Sequence, residues 1–393
     1  MITMTSDNGA GAVNESSSGS TASSTAASSI TETSITETPA TDRRTSGGGS
    51  ARAAAVEPFL RGCAWPSGQG VPYPRADTRD FTRLPIDTWS AAMVPVGVRL
   101  EFTGAACAVQ IAYRTKASDP GYRGAGAGTT FAAYQGEQHI VSEPAVFGDG
   151  LVTLDLSATD ENQTTVVYLP EGMKPEVVSL HATGGELVPA AARPRWICYG
   201  DSITEGWSAS EPAGAWSAIA GRTHDLDVVN LGYAGGARGE IVSAEMIAAL
   251  GTDDASPAGP PAVISINHGT NCWSRVPHTA TMMMAGMDAF LRIVREGHPG
   301  VPIVVCSPVL RPDAERTKNR LGATLEDLRE ALEDAVQGRR ERGDTNLTLV
   351  TGDGVLRSEH LVDGIHPGDE GHQILARVFG DKIAAAAAAG TVS

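Results

Sequence analysis

Ser202, Asp363 and His366 are the residue types that together make a serine hydroxyl into a working nucleophile. A serine attacks a carbonyl only when a base takes its proton. His366 can be that base. Asp363, three residues earlier on the same turn, can hold the imidazole in one tautomer and stabilise the imidazolium. Acyl transfer also needs donors aimed at the developing oxyanion. The backbone N–H of Ser202, the backbone N–H of Gly235 and the side-chain amide of Asn271 can supply them. A glycine at 235 suits the task because no Cβ keeps the backbone from the substrate; Gly232 or Gly236 could serve instead. Plainer readings exist for each residue. Ser202 could cap a helix, Asp363 could start an Asp-Gly turn, Asn271 could be a turn residue and His366 a loop histidine before proline.

Other residues near these positions suggest less. Asp201 reads as an organiser of its loop. Trp207 and Trp273, close in sequence to Ser202 and Asn271, could line an acyl or sugar pocket or could be packed structural residues. Tyr199 receives no role. His360, His366 and His372 recur every six residues, a step that does not keep them on one helix face, and Pro367 interrupts any helix there. No metal site is expected. The glycines of 232–239 are spaced G-x-x-G-G-x-x-G, not G-x-G-x-x-G, so no dinucleotide site is expected either. The reaction needs no metal or organic cofactor.

The elements that would position these residues follow from hydrophobic patterning. From residue 191 onward, five apolar runs with little alternation lie at 195–200, 226–232, 261–267, 301–309 and 347–352. Runs of this kind fit strands buried on both faces. Helical spacing lies between them, as in Leu325, Leu328, Leu332 and Ala335, or Met283, Met287, Phe290 and Val294. The run Met282–Met284 reads as core packing, and a last helix is expected at 369–379. Strand–helix alternation predicts a parallel sheet covered on both faces, with its ligand site at the carboxyl ends of the strands. Four short blocks stand at those ends: Gly200-Asp201-Ser202-Ile203, Asn230-Leu231-Gly232-Tyr233-Ala234-Gly235-Gly236, His268-Gly269-Thr270-Asn271 and Asp363-Gly364-Ile365-His366.

Residues 55–190 read differently. Short runs at 96–102, 107–114, 129–134, 138–142, 151–156, 164–169 and 176–182 mostly alternate apolar and polar residues between Gly, Asp, Asn and Pro turns. No helix-period segment interrupts them, and the expectation is an all-β sandwich. The first 54 residues form a third region. The first fifty hold 12 Ser and 10 Thr and repeat Ser-Ile-Thr-Glu-Thr at 29–33 and 34–38. Such a segment buries too little surface to offset the entropy of ordering and is expected to be a disordered tail. Its removal should leave the chemistry intact.

Net charge is −16, with 30 basic and 46 acidic residues. That balance disfavours a nucleic-acid or polybasic membrane partner. The general field would also repel an anionic polymer, which makes a neutral sugar or small ester the better substrate. Only four lysines occur, Lys116, Lys174, Lys318 and Lys382. The five cysteines are odd in number and include no C-x-x-C, so neither a disulfide framework nor a zinc site is expected. The N-terminus has no signal-peptide pattern, and the chain reads as cytoplasmic.

The four blocks, taken in order, resemble those of the SGNH hydrolases, the GDSL esterase/lipase superfamily. GDSI resembles the nucleophile block, NLGYAGG the glycine block, HGTN the G-x-N block and DGIH the D-x-x-H block. Two departures stand out: Ile203 replaces the usual Leu, and Cys272 follows Asn271 where Asp is frequent. The resemblance implies a three-layer, flavodoxin-like α/β domain over 191–393. It also implies Ser202 as nucleophile, His366 and Asp363 as its partners, and Ser202, Gly235 and Asn271 as the oxyanion hole. A sandwich before GDSITEG resembles the two-domain plan of family 2 carbohydrate esterases, whose first domain is jelly-roll-like. The expected function is hydrolysis of short-acyl, above all acetyl, esters on a carbohydrate or a glycosylated or hydroxylated small molecule. The rivals are an acyltransferase using the same acyl-enzyme, a longer-chain lipase and an inactive hydrolase-like binding module.

Overall fold

The computed structural model describes residues 54–68, 70–118, 128–252 and 259–390. The expected tail, 1–54, lies outside the described residues except for Ala54, whose N–H bonds to Leu180 O. Among the described residues, nine strands precede residue 190. They are β1 (Leu60–Arg61), β2 (Arg99–Thr103), β3 (Ala108–Thr115), β4 (Thr130–Gln135), β5 (Gln138–Pro144), β6 (Gly148–Asp155), β7 (Thr165–Tyr168), β8 (Pro175–Thr183) and β9 (Val188–Pro189). All seven expected runs are strands. They form two antiparallel sheets, one in the order β1-β2-β7-β4-β5 with β9 paired to β2, the other β6-β3-β8.

Alternation explains why both sheets share a core. Val109, Ile111 and Tyr113 of β3 and Val152 and Leu154 of β6 point inward, and they meet Leu100, Phe102, Phe131, Ala133 and Val167 from the larger sheet. The larger sheet is covered on its other face too. Every residue of β7 is buried, and Ala132, Tyr134, Val166 and Tyr168 pack with Ala213 from beyond residue 190. On β2, Arg99 and Glu101 are buried together on that second face. Arg99 Nε donates to Glu101 (2.6 Å), and its other nitrogens reach Asp227 (2.7 Å) and the carbonyl of Val228 (2.9 Å).

The all-β expectation for 55–190 needs correction. Ile86–Ala92 form a helix, α1. Seven residues give too few turns for a helical period to show in the sequence. Its Trp89, Ala91 and Ala92, with Ala76 and Leu84, join the apolar core beneath the parallel sheet rather than that of the two antiparallel sheets.

Beyond residue 194 lie β10 (Arg195–Gly200), β11 (Asp227–Gly232), β12 (Val263–Asn267), β13 (Ile303–Cys306) and β14 (Leu347–Val350). They pair in parallel in the order β11-β10-β12-β13-β14. Chain order therefore reverses beside β10, the place where doubly wound sheets open a crevice for ligands. The helices are α2 (Ser202–Glu205), α3 (Trp216–Thr223), α4 (Ile241–Ala249), α5 (Thr270–Ser274), α6 (Ala280–Gly297), α7 (Leu325–Glu341), α8 (Asp369–Leu375) and α9 (Asp381–Gly390). Ile197 and Tyr199 of β10 face α4, α6 and α7, which supply Met246, Met283, Met287, Phe290, Leu328 and Leu332. Trp196 and Cys198 face α3, α8 and α9. Of the Met run, Met283 is buried and Met282 and Met284 are exposed, as core packing on one helix face requires. Helix α7 starts at a capping box of Thr324 and Asp327. The final helical stretch outlasts the expected 369–379: a wider turn at Ala376–Gly380 leads into α9, where Ile383 and Ala387 are buried.

Candidate active site

All four blocks lie at the carboxyl ends of strands or in the loops that follow them. Ser202 opens α2 directly after β10 and Asp201. Gly200 must lack a side chain, because a Cβ there would stand 2.1 Å from Thr204 Oγ1 and 2.3 Å from Asn267 O. Asp201 caps α2 by accepting from the Ile203 N–H (3.0 Å). Its carboxyl is pushed up to about 7, chiefly by burial, with Arg311 opposing the rise.

The 361–367 turn brings His366 across to Ser202. Val362 N–H donates to His366 O (2.9 Å). Within the turn, Asp363 Oδ1 accepts from the N–H groups of Ile365 (3.0 Å) and His366 (2.8 Å). Its other oxygen stands 2.7 Å from His366 Nδ1, and His366 Nε2 stands 2.9 Å from Ser202 Oγ. Burial pulls the Asp363 carboxyl upward, but the bonds from the His366 ring and backbone and from Ile365 outweigh it, and the net shift is downward. An ionised carboxylate only accepts. Nδ1 therefore carries the proton, and Nε2 is left to accept from the serine hydroxyl.

The three expected oxyanion donors stand on one cleft of about 660 Å³ together with Ser202 and His366. Among the described residues, the N–H groups of Ser202 and Gly235 have no protein acceptor. Asn271 Nδ2 donates to Gly236 O (2.5 Å), which fixes the amide plane and leaves its second N–H for a ligand. Gly235 has φ +73°, and a Cβ there would stand 3.0 Å from the Arg275 guanidinium carbon. Both conditions favour glycine at 235.

Long-range polar contacts that the sequence did not suggest hold this loop. Arg75, fully buried, donates to Val94 O (2.6 Å), Ala91 O (2.6 Å), Asn230 O (3.3 Å) and Gly232 O. It lies 3.9 Å from Glu205 Oε1, and the other Glu205 oxygen accepts from Ala234 N–H (2.5 Å). Asn230 Nδ2 donates to Thr204 O (2.9 Å) and Ser217 Oγ (3.0 Å), and its Oδ1 accepts from Gly232 N–H (2.8 Å). Residue 75 thus ties the first part of the chain to the loop carrying Gly235.

The remaining expected positions separate. Trp207 lines the cleft, its ring 5.7 Å from that of His366. Trp273 does not: its Nε1 donates to Thr317 O (2.7 Å) and Arg311 stacks over its ring at 4.8 Å, which sets it behind the wall. Tyr199 is buried and donates to Glu240 (3.0 Å). The three histidines part company. His360 accepts from the Arg357 N–H (3.1 Å). Buried His372 sits 3.3 Å from Trp216 N and 3.1 Å from Trp207 O, steadying the segment after Ser202. Among the described residues no group of three potential metal ligands forms, and all five cysteines are free. His268 has no protein partner on either ring nitrogen among them, and burial, with a lesser push from His278, lowers its pKa to about 4, so it is neutral at pH 7. The cleft also draws on Asp87, Ser90, Ala91, Met93 and Val94 of the α1 region, and on Lys174 from the turn before β8.

Residues 198–374 match the GDSL-like lipase/acylhydrolase family. No curated protein matches the sequence. Among solved structures, the chain is similar to the salicylyl-acyltransferase SsfX3 from a tetracycline biosynthetic pathway. That match has a TM-score of 0.70 at 24% identity and covers 83% of this chain and 94% of that one. It is similar also to a Bacteroides ovatus protein assigned to the GDSL-like lipases (TM-score 0.67, 20% identity, 85% and 97% covered). A family two carbohydrate esterase from Clostridium thermocellum, solved with cellohexaose, gives a TM-score of 0.54 at 17% identity, with 73% and 92% covered. At these identities the likeness is one of fold, and it extends well outside 198–374.

Proposed function

Since residues 198–374 form a GDSL-like lipase/acylhydrolase domain, a serine hydrolase of the SGNH superfamily, we propose that the chain hydrolyses short-acyl esters through an acyl-enzyme on Ser202. The observation that carries this reading is the unbroken series Ser202 Oγ, His366 Nε2, His366 Nδ1 and Asp363 Oδ2, at 2.9 and 2.7 Å, beside three available donors. His366 Nε2 takes the hydroxyl proton as Oγ attacks the ester carbonyl. The oxyanion is met by Ser202 N–H, Gly235 N–H and the second Asn271 N–H. His366 then gives its proton to the departing alcohol. Water, activated by the same nitrogen, releases the acid and restores the serine.

The acyl group is small, above all acetyl, and the alcohol is a carbohydrate or a glycosylated or hydroxylated small molecule. The fold shared with a family two carbohydrate esterase supports that class. On this reading the two antiparallel sheets of 60–189 are a jelly-roll-like sandwich, and the residues that rim the cleft from 87–94 and at 174 belong to the substrate site. An acyltransferase using the same acyl-enzyme is the second reading, supported by the likeness to SsfX3. The test is turnover of 4-nitrophenyl acetate and octanoate, with and without an added alcohol or amine. Faster acetate turnover supports the first reading, and ester formed with the alcohol or amide formed with the amine supports the second. Faster octanoate turnover contradicts the short-acyl class, and no turnover contradicts both.

A further inference from the structure

The chain as a whole is strongly acidic, but the cleft is not. Three cations line it, Lys174, Arg275 and Arg311, against one carboxylate, Asp87. Asp87 is already engaged by Arg238 through two bonds of 2.8 and 3.0 Å. Arg311 shares its charge with Asp313 at 2.9 and 3.2 Å. The side chains of Lys174 and Arg275 make no hydrogen bond or ion pair to any described residue. Among the described residues, two positive charges without a carboxylate partner therefore line the same cavity as Ser202.

Each is held in a way that directs it. Arg275 follows Asn271 by four residues, and its N–H donates to Asn271 O (3.1 Å), so one turn of helix presents the oxyanion amide and the guanidinium together. Its guanidinium lies over Gly235, with Cζ 3.0 Å and Nε 3.1 Å from the position a Cβ would take. Lys174 comes from the other half of the molecule. It is half-buried and has φ 51°, a left-handed backbone that a lysine adopts only at some cost and a glycine would adopt freely. The turn before it is fixed by buried Glu171, which accepts from Gly97 N–H (3.0 Å). A strained residue that carries one of only four lysines into the cleft is where a function is to be sought.

We propose that the substrate carries an anionic group, a carboxylate or a phosphate, bound between Arg275 and Lys174. The inference rests on the acyl-enzyme reading and sharpens it. The net charge of the chain argues against an anionic polymer; the local charge of the cleft selects a small anionic ester. Cleft walls of low dielectric concentrate the local field, which therefore outweighs the distant acidic surface at physiological ionic strength.

The experiment compares kcat/KM within two matched pairs. One is 4-nitrophenyl butyrate against 4-nitrophenyl hemisuccinate, with the carboxylate on the acyl side. The other is phenyl acetate against 4-acetoxyphenyl phosphate, with the phosphate on the alcohol side. The charged-to-neutral ratio is expected to fall about fivefold in at least one pair in Lys174→Met and in Arg275→Gln, and further in the double variant. Arg275→Lys should retain most of it, and added NaCl should erode it in the parent. Ratios unchanged by both substitutions and by salt, with the neutral esters still turned over, overturn this inference alone. No turnover of any ester overturns the acyl-enzyme reading and this inference with it.

Discussion

Ser202 stands on a turn that is buried from Asp201 to Gly206, whereas His366 stands on one whose neighbours Val362, Asp363 and Gly364 are exposed. The two sides of the site are held by different means. Around Ser202 and the Gly235 loop, the bonds come from far along the chain: Arg75 reaches Gly232, Asn230 reaches Thr204, and Asn267 O accepts from Asp201 N–H (3.2 Å). Around His366, one carboxylate within three residues accepts from two backbone N–H groups and the ring. The Ser202 side is thus part of the folded core, and the His366 side is a local device set upon it. A substitution on the local side should change rate alone, and one on the buried side should change rate and stability together.

The largest expected effect on rate, with stability intact, is on the exposed side. Asp363→Asn should lower kcat/KM by about 10³- to 10⁴-fold, because an amide no longer dictates the ring tautomer. The thermal midpoint should stay within a few degrees of the parent's. A large fall in that midpoint would erase the contrast. Asn271→Ala should cost about 10²- to 10³-fold in kcat through one lost oxyanion donor, with an added stability loss because Gly236 O loses its partner. Unchanged kcat would remove Asn271 from the oxyanion hole. Arg75→Met should act in the opposite sense to Asp363→Asn. It removes the cation beside buried Glu205 and the donors to four backbone carbonyls, and should cost about 3–5 kcal/mol of stability in denaturant unfolding, while the folded fraction keeps more activity than Asn271→Ala. A neutral effect on unfolding would show that the clamp is ornamental.

Asp201 gives the smallest and most specific effect. Its carboxyl rises in the folded protein from an ordinary 3.8 to about 7. Between those values the folded chain holds a proton that the unfolded chain has released, so stability is lost as pH rises across the interval. Asn keeps the acceptor for Ile203 N–H and never ionises. The stability of Asp201→Asn relative to the parent should therefore grow from about pH 4 to about pH 7 and then level off, by at most a few kcal/mol. Denaturation midpoints at pH 5 and pH 8 measure it, and a difference that does not change with pH contradicts the assignment.

What the sequence made legible follows the same division. Asp363 and His366 are three residues apart, and Ser202 directly follows a strand, so local spacing exposed them. The apolar runs placed all five parallel strands, because a strand buried on both faces leaves a continuous signature. Arg75 left none. Its partners lie up to 157 residues away, and one buried arginine looks like any other in a chain with 26 of them. Helix α1 was hidden by its shortness, and it is through α1 and Lys174 that the first half reaches the cleft. Trp273 was left open for a related reason: nearness to Asn271 along a short helix does not say which side a ring takes, and here Arg311 and Thr317 draw it behind the wall. The net charge was legible as a sum, but its distribution was not.

On the proposed mechanism the acyl group passes through Ser202. The most direct test is mass spectrometry of the folded protein after a fluorophosphonate probe, with the adduct mapped to a peptide. One adduct is expected, on Ser202, absent in Ser202→Ala and formed far more slowly in His366→Ala. An adduct on another residue, or none on the folded protein, would contradict it.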